Sequence, residues 1–475
     1  MSTRIDSNRA GRGMGGKSAL IVILGLAVAI PVSFGLMPGR PLVVKDPGIH
    51  TGLPTGLGSS LQHLTSGQTT VFNDGQSNFS GATSVFNVPN TVGVPNSTGG
   101  LGPRFNSNQC SSCHGYPVTG GTGGIPSSAT TNNLFSVYQL SGATNTMPSF
   151  ETNPGPTLVA RFPFMSDGVT PDGTVHQLFT ITGRSDAPNC TISQPTYPTN
   201  TAYRQPMEVI GDGFLEIIQN STITANAAAE CAQTLFPGIC GVPAVDPHDG
   251  TIDRFGWKAQ WRGLTLAAAE ELSVQMGVTN EFFPTELDQT KGCGDINAVP
   301  ESASTYNDTL SPTDKYVGDP ERMGLFMRFL AAPQPFTFNP SAQTGKQQFV
   351  ADGCSECHTV SYTTPLLSAV TQLGNTTVNL YSDLLLHHMG ACLADNVIQG
   401  TAQGDMFRTP PLWGTSKRMY FLHDGRETDL LKVIQVDHAC AGNSQYPASE
   451  AIPSVNAFNA DTLNQQNILN FLRDL

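Results

Sequence analysis

Charge is scarce in this chain: only 13% of residues are Asp, Glu, Lys or Arg, and acidic residues outnumber basic ones 37 to 24. The formal charge of −13 excludes nucleic acid and anionic lipid surfaces as electrostatically held partners. No run of like charge marks a docking tail. Tryptophan is rarer still, with 3 residues in 475. Long hydrophobic runs are lacking too, apart from the uncharged stretch from Ser18 to Met37 that ends at Pro38-Gly39.

Glycine (49) and proline (34) are abundant, which marks a loop-rich chain. The 39% of hydrophobic residues still supports cores and excludes global disorder, and 475 residues suffice for two ordinary domains. Arg4, Arg9, Arg12 and Lys17 precede the apolar stretch, the pattern of an export signal. The stretch is long for a signal-peptide core and just long enough to span a bilayer. It holds Gly25 and Pro31, and no Ala-x-Ala site follows it. A cleaved signal and a membrane anchor through residues 18–37 therefore both stay open. Either way, everything after Gly39 is expected outside the cytoplasm, periplasmic or otherwise extracytoplasmic.

Ten cysteines suit an oxidising destination. Four of them stand in two copies of one motif, Cys110-Ser-Ser-Cys113-His114 and Cys354-Ser-Glu-Cys357-His358. Two cysteines three positions apart on a helical turn can form thioethers to the two vinyl groups of a haem, and the adjacent histidine then reaches its iron. A zinc site would want further thiolates or imidazoles at ligand spacing close by, and a thioredoxin-like pair would want a βαβ setting; neither motif has them. The motifs therefore imply two covalently bound haem c groups, with His114 and His358 as axial ligands. Cys190, Cys231, Cys240, Cys293, Cys392 and Cys440 remain. Cys231 with Cys240 is the natural local loop; the other pairings, or free buried thiols, stay open.

The motifs set the expected layout. Residues 1–39 are the signal peptide or anchor, 40–105 an irregular N-terminal arm, 106–335 an N-terminal haem domain, and 336–475 a C-terminal cytochrome c-like haem domain. Apolar periodicity predicts helices over Gly213–Gln219 and Leu264–Met276, a helical block from Ser341 through Gly345 and Phe349, and an amphipathic terminal helix over Thr462–Leu475. Thr285–Thr313 reads as surface loop. The expected fold class is mainly α: two cytochrome c-like haem domains with long irregular loops. Beyond the paired motif there is no internal repeat.

Longer strings carry a resemblance. They are Leu178-Phe-Thr-Ile-Thr-Gly-Arg-Ser-Asp-Ala187, Gly213-Phe-Leu-Glu216, Arg254-Phe-Gly-Trp-Lys-Ala-Gln260, Tyr381-Ser-Asp-Leu-Leu-Leu-His387, Phe407-Arg-Thr-Pro-Pro-Leu-Trp-Gly414, Phe421-Leu-His-Asp-Gly-Arg426 and Asn470-Phe-Leu-Arg-Asp-Leu475. Together, from about Asn106 to Leu475, they resemble the bacterial di-haem oxidoreductase family. Its members are described as peroxidases or thiol oxidoreductases and are distantly similar to the di-haem cytochrome c peroxidases.

The resemblance implies site residues. His438, following His423-Asp424-Gly425, would be the second axial ligand of the C-terminal haem; a surface histidine beside Cys440 is the plainer alternative. Trp257 would shorten the electron path between the haems, although an aromatic there is more often core. Glu216 would move peroxide protons at the N-terminal haem, with a helix-surface glutamate as the alternative. Arg408, Arg426, His387 and His423 would serve the haem propionates, because buried propionates require charge-assisted hydrogen bonds. Asp246-Pro-His-Asp249 with Asp253 offers oxygens for a calcium ion, but the spacing matches no calcium loop and a solvated acidic turn is the plainer reading.

Three activities follow, separated by the sixth ligand of the N-terminal haem, which could be Met147, His176 or none. The first is a peroxidase-like oxidoreductase that reduces hydrogen peroxide at the N-terminal haem. Its C-terminal haem relays electrons from a small redox protein or a quinone-linked donor. The second is an electron carrier with both irons closed, and the third a thiol oxidoreductase acting on small sulfur compounds. The first is the expectation taken forward. Pyridine haemochrome analysis should find two c-type haems per chain, and replacing either cysteine pair by serine should remove one of them.

Overall fold

Thr65-Ser-Gly-Gln68 builds a reciprocal helix cap. The Gln68 N–H donates to Thr65 Oγ1 at 3.2 Å and the Thr65 N–H to Gln68 Oε1 at 2.9 Å, satisfying two groups that a helix start otherwise leaves unpaired. From this cap runs α1 (Ser66–Ser80), with Phe72, Gly75 and Phe79 buried. It corrects the expectation of an irregular arm over 40–105, because a polar composition concealed a helix whose buried side is only those three residues. The computed structural model describes residues 43–83, 101–123, 132–184, 187–195, 200–285 and 318–475. The signal or anchor expected at 1–39, and nearly all of the loop expected at 285–313, fall outside the described residues.

The further helices among the described residues are α2 (Leu134–Leu140), α3 (Asp212–Ile217), α4 (Asn220–Ala232), α5 (Leu264–Met276), α6 (Asp319–Phe329), α7 (Pro340–Ala351), α8 (Leu430–Gln435), α9 (Ile452–Ala460) and α10 (Gln465–Arg473). α5 has the bounds its periodicity predicts and stops at Gly277, whose φ of 60° suits a residue without a side chain. α7 starts where Asn339 accepts from the Ala342 N–H at 3.0 Å, with Pro340 in the first turn. α10 is shorter than the expected Thr462–Leu475. Short antiparallel strand pairs join the loops, among them Leu386–His388 against Met406–Arg408. With 31% helix and 11% strand the architecture is mixed, which corrects the mainly α expectation. Long loops are pinned by ladders of two or three residue pairs.

Residues from Val44 onward form one unit. Its first core gathers α1, α5 and α6 around Phe105, Phe179, Leu272 and Phe326, and also takes Leu380, Leu384 and Trp413 from beyond residue 336. Its second core gathers Phe349, Phe458 and Phe471 on α7, α9 and α10, with Tyr381 beside them. Cys231 pairs with Cys240, as expected, and Cys392 with Cys440. Cys190 is also disulfide-bonded, while Cys293 lies outside the described residues. Among the described residues no helix is long and apolar enough to cross a membrane.

The helix that leads into the second motif is held by the terminal one. A side chain on Gly345 of α7 would stand 1.9 Å from the Asn467 carbonyl oxygen of α10, so the two backbones meet only because this residue has no Cβ. Gly345→Ala should destabilise the protein by about 1–3 kcal/mol through overpacking, read as a lower urea midpoint with an unchanged slope.

Candidate haem sites

Each Cys-x-x-Cys-His string folds as a single tight turn. The His114 N–H donates to the Cys110 carbonyl at 2.9 Å, and the His358 N–H to the Cys354 carbonyl at the same distance. Both turns present their histidine and both cysteines to a cavity, of about 1210 Å³ at the first motif and about 1360 Å³ at the second. All four thiols are unpaired. Burial pushes Cys110 and Cys354 up to about 12 and Cys357 to about 11, and raises Cys113 as well. The sulfurs are thus protonated rather than thiolate ligands. Unpaired thiols beside a histidine at an apolar cavity are the donor set that covalent haem attachment needs, and the residues present fit the group.

The two cavities differ in imidazoles. In the second, His358 Nδ1 lies 2.9 Å from the Tyr381 carbonyl and His438 Nδ1 2.9 Å from the Val433 carbonyl. A carbonyl only accepts, so both rings carry their proton on Nδ1 and keep Nε2 for a metal. Both line this cavity. Burial holds both neutral, pushing His358 down to about 4 and lowering His438 as well. In the first cavity His114 is the histidine in the wall, and burial pushes it down to about 4 against the Met207 and Gly121 backbone. Neither Met147 nor His176 is in that wall: Met147 packs on the first core and His176 Nε2 lies 2.8 Å from the Ser193 carbonyl. Four other methionines are: Met207, Met276, Met323 and Met327. Of these, Met323 Sδ sits 3.8 Å from Cys110 Sγ, and Met207 Sδ accepts from Arg408 at 3.6 Å.

Trp257 and Arg408 line both cavities. The Trp257 indole N–H donates to the Gln205 carbonyl at 2.9 Å, and its ring meets the edge of His423 with centroids 6.4 Å apart. His423 lines the second cavity, stacked on Phe407 at 4.2 Å.

Two expected site residues stand elsewhere, and a third has its ring nitrogens engaged. Glu216 is in neither wall; its carboxylate takes Arg328 through Nε and Nη2, at 2.5 and 2.8 Å, and the Leu264 N–H at 3.0 Å. It ties α3 to α6 and to the start of α5. Arg426 is exposed, in neither wall, and paired with Asp424. His387 does line the second cavity, but its Nε2 lies 2.8 Å from Asp383 and its Nδ1 2.8 Å from Glu450. Both nitrogens are spent on carboxylates, so none is left for a propionate. Burial opposes charge on this ring, yet Cys357 and Asp383 outweigh it and raise the imidazole well above its usual value.

The acidic turn at Asp246–Asp253 holds its own backbone: Asp246 accepts from the His248 N–H, and Asp249 pairs with Arg262. Among the described residues, Cys357, Asp383 and His387 are the one group close enough to share a metal, and Asp383 and His387 are already bonded to each other.

What the sequence reading missed is the polar part of the first cavity. α5 presents Leu264, Ala268, Glu271, Leu272 and Gln275 to it, with Arg161 and Asp212 also in the wall. Burial pushes Glu271 up to about 7, with Arg161 pulling down and Glu270 adding to the rise. Burial does the same to Asp212, opposed by Arg408. The signal was present: Glu271 is a carboxylate on the apolar stripe of a predicted helix, where a surface residue does not belong. Glu216→Gln should therefore cost about 1–3 kcal/mol of stability, the range for a charged hydrogen bond, while both haem absorption spectra stay as they are.

None of the curated proteins matches the chain. In solved structures it is similar to the Kuenenia stuttgartiensis hydrazine synthase, at 11% identity and a TM-score of 0.34, over 92% of this chain and 100% of that one. It is also similar to the dihaem peroxidase BthA of Burkholderia thailandensis, at 12% identity and a TM-score of 0.24, over 70% of this chain and 95% of that one. The family model described as "Di-haem oxidoreductase, putative peroxidase" matches residues 183–457. That stretch is more than half of the chain and carries the second motif, Trp257 and His438, so the protein belongs to the di-haem oxidoreductase family.

Proposed function

We propose that the protein is an exported, peroxidase-like oxidoreductase in which peroxide is reduced in the His114 cavity with electrons relayed from the cavity of His358 and His438. The observation that carries this reading is Trp257, a single aromatic ring in the walls of both cavities. A haem attached at each motif would supply a one-electron iron centre in each cavity.

The chain's own residues divide the work. His358 and His438 would hold the iron of a haem bound in the second cavity with two imidazoles, a ligand set that suits electron transfer rather than substrate binding. Trp257, fixed by its bond to Gln205 and by its edge contact with His423, gives an aromatic path from one cavity to the other. In the first cavity Glu271 holds or releases a proton near neutral pH beside Arg161, the role the resemblance assigns to Glu216. Reducing one peroxide consumes two electrons and two protons and yields two waters, so a titratable carboxyl belongs in the cavity where the O–O bond breaks.

Met276 and Met327 in the same wall favour a second reading, an electron carrier whose first iron is closed by a thioether. Cyanide separates the two. On the peroxidase reading it should shift the absorption of one haem in the oxidised protein, and His438→Ala should open the second haem to it. Absence of a shift in every redox state selects the carrier. Glu271→Gln should lower peroxide turnover about a hundredfold. In the native protein, turnover should rise as pH passes upward through about 7, where this carboxyl ionises and can accept the peroxide proton. The inflection should vanish in the variant.

A further inference from the structure

A third cavity, of about 1520 Å³, carries no cysteine and no Cys-x-x-Cys-His turn. Ring-sized apolar walls come from Leu61, Phe214, Phe338 and Val378. The rim carries amides and hydroxyls, including Gln62, Gln334, Thr377 and Asn379, all four exposed. Among the described residues no carboxylate side chain lines it, and its cationic side chain, Lys346, stands 5.9 Å from the centre of the Phe338 ring. Such a lining suits a neutral planar molecule with hydroxyl groups at its edge.

Two walls of this cavity lead to the haem sites. Tyr381 lines it, while the Tyr381 carbonyl accepts from His358 Nδ1 at 2.9 Å. Tyr381 adopts this position at a φ of 52°, unusual for a bulky residue. The strain is held by ring contacts to Phe349 and Phe471, with centroids 5.9 and 5.6 Å apart. On the other side Trp413 lines both this cavity and a smaller one of about 360 Å³, whose wall includes Trp257. The cavity thus touches the residue that orients one axial histidine and stands one small void from the ring shared by both haem cavities.

We infer that this cavity binds a small diphenol of the hydroquinone class, which delivers electrons to the haem sites through Tyr381 and Trp413. The inference rests on the proposed peroxidase reading for its oxidant, though not for its site. A diphenol loses two electrons and its two O–H protons and becomes the quinone. Peroxide takes up two electrons and two protons as its O–O bond breaks, and leaves as two waters. One donor molecule therefore balances one peroxide, and no further reductant is needed.

Stopped-flow reduction of the oxidised holoprotein by 1,4-benzohydroquinone tests the site. The rate should saturate with hydroquinone concentration. Thr377→Trp and Gln334→Trp, both on the exposed rim, should each raise the half-saturating concentration at least about tenfold. Leu235→Trp, exposed and outside this wall, should leave it unchanged, and reduction by dithionite should be the same in all four proteins. A rate that rises linearly without saturation, or saturation that neither rim variant alters, overturns the proposal. Peroxide turnover with ferrocyanide as donor tests the oxidant side separately. If that turnover is absent while hydroquinone reduction still saturates at this rim, the donor site stands and the peroxidase reading falls.

Discussion

One buried carboxylate organises the wall between the two haem cavities. Asp395 accepts from Arg204 Nε and Nη2 at 2.9 and 2.7 Å and lies 3.2 Å from Lys258 Nζ, all three side chains being almost fully buried. Burial alone would raise its pKa, but Arg204 and Lys258 outweigh burial and hold it well below the usual carboxylate range. The same burial pushes Lys258 down to about 7. Lys258 Nζ rests 4.0 Å over Phe407, which stacks on His423, which in turn meets Trp257. Arg204 walls the first cavity, Phe407 and His423 the second, and Trp257 both. A buried charge set of this kind adds little net stability, yet breaking it by removing one partner costs about 3–5 kcal/mol. Its contribution is registry, since one carboxylate holds Arg204 in the first wall and, through Lys258 over Phe407, reaches the second.

The haem turns and the α5 helix were legible in the sequence because each is a local pattern. A turn needs only its own five residues, and Leu264–Met276 has an apolar period bounded by Gly263 and Gly277. α1 escaped because the capping pair Thr65 and Gln68 is a short polar signal inside a polar stretch, and only three residues of the helix are buried. The resemblance led to Glu216, but Arg328 lies 112 residues further along the chain, and no local pattern announces that pairing. Glu271 could have been found as a charge on an apolar stripe. What it faces is settled by α5 packing against the first cavity, a tertiary fact. His438 is the intermediate case, since the resemblance implied it and the fold brings it to the same cavity as His358.

The two cavities are built from similar turns and separated by what surrounds them. The first has carboxyls held near neutrality, Glu271 and Asp212, and thioethers around one imidazole. The second has two neutral imidazoles, each oriented by a backbone carbonyl, and a doubly engaged His387. Desolvation is common to both. What differs is whether a proton can come and go at neutral pH, and that is a property of the carboxyls that α3 and α5 present rather than of the motif.

Cys440 lies two residues beyond His438 and is bound to Cys392 across 48 positions. The closed loop pins the segment that carries the histidine from its far side, while α8 holds it from the near side through the Val433 carbonyl. Opening the disulfide would free the segment on the far side of that imidazole and widen the conformations open to it. Reduction of one disulfide is thereby transmitted to the position of a histidine in the wall of the second cavity.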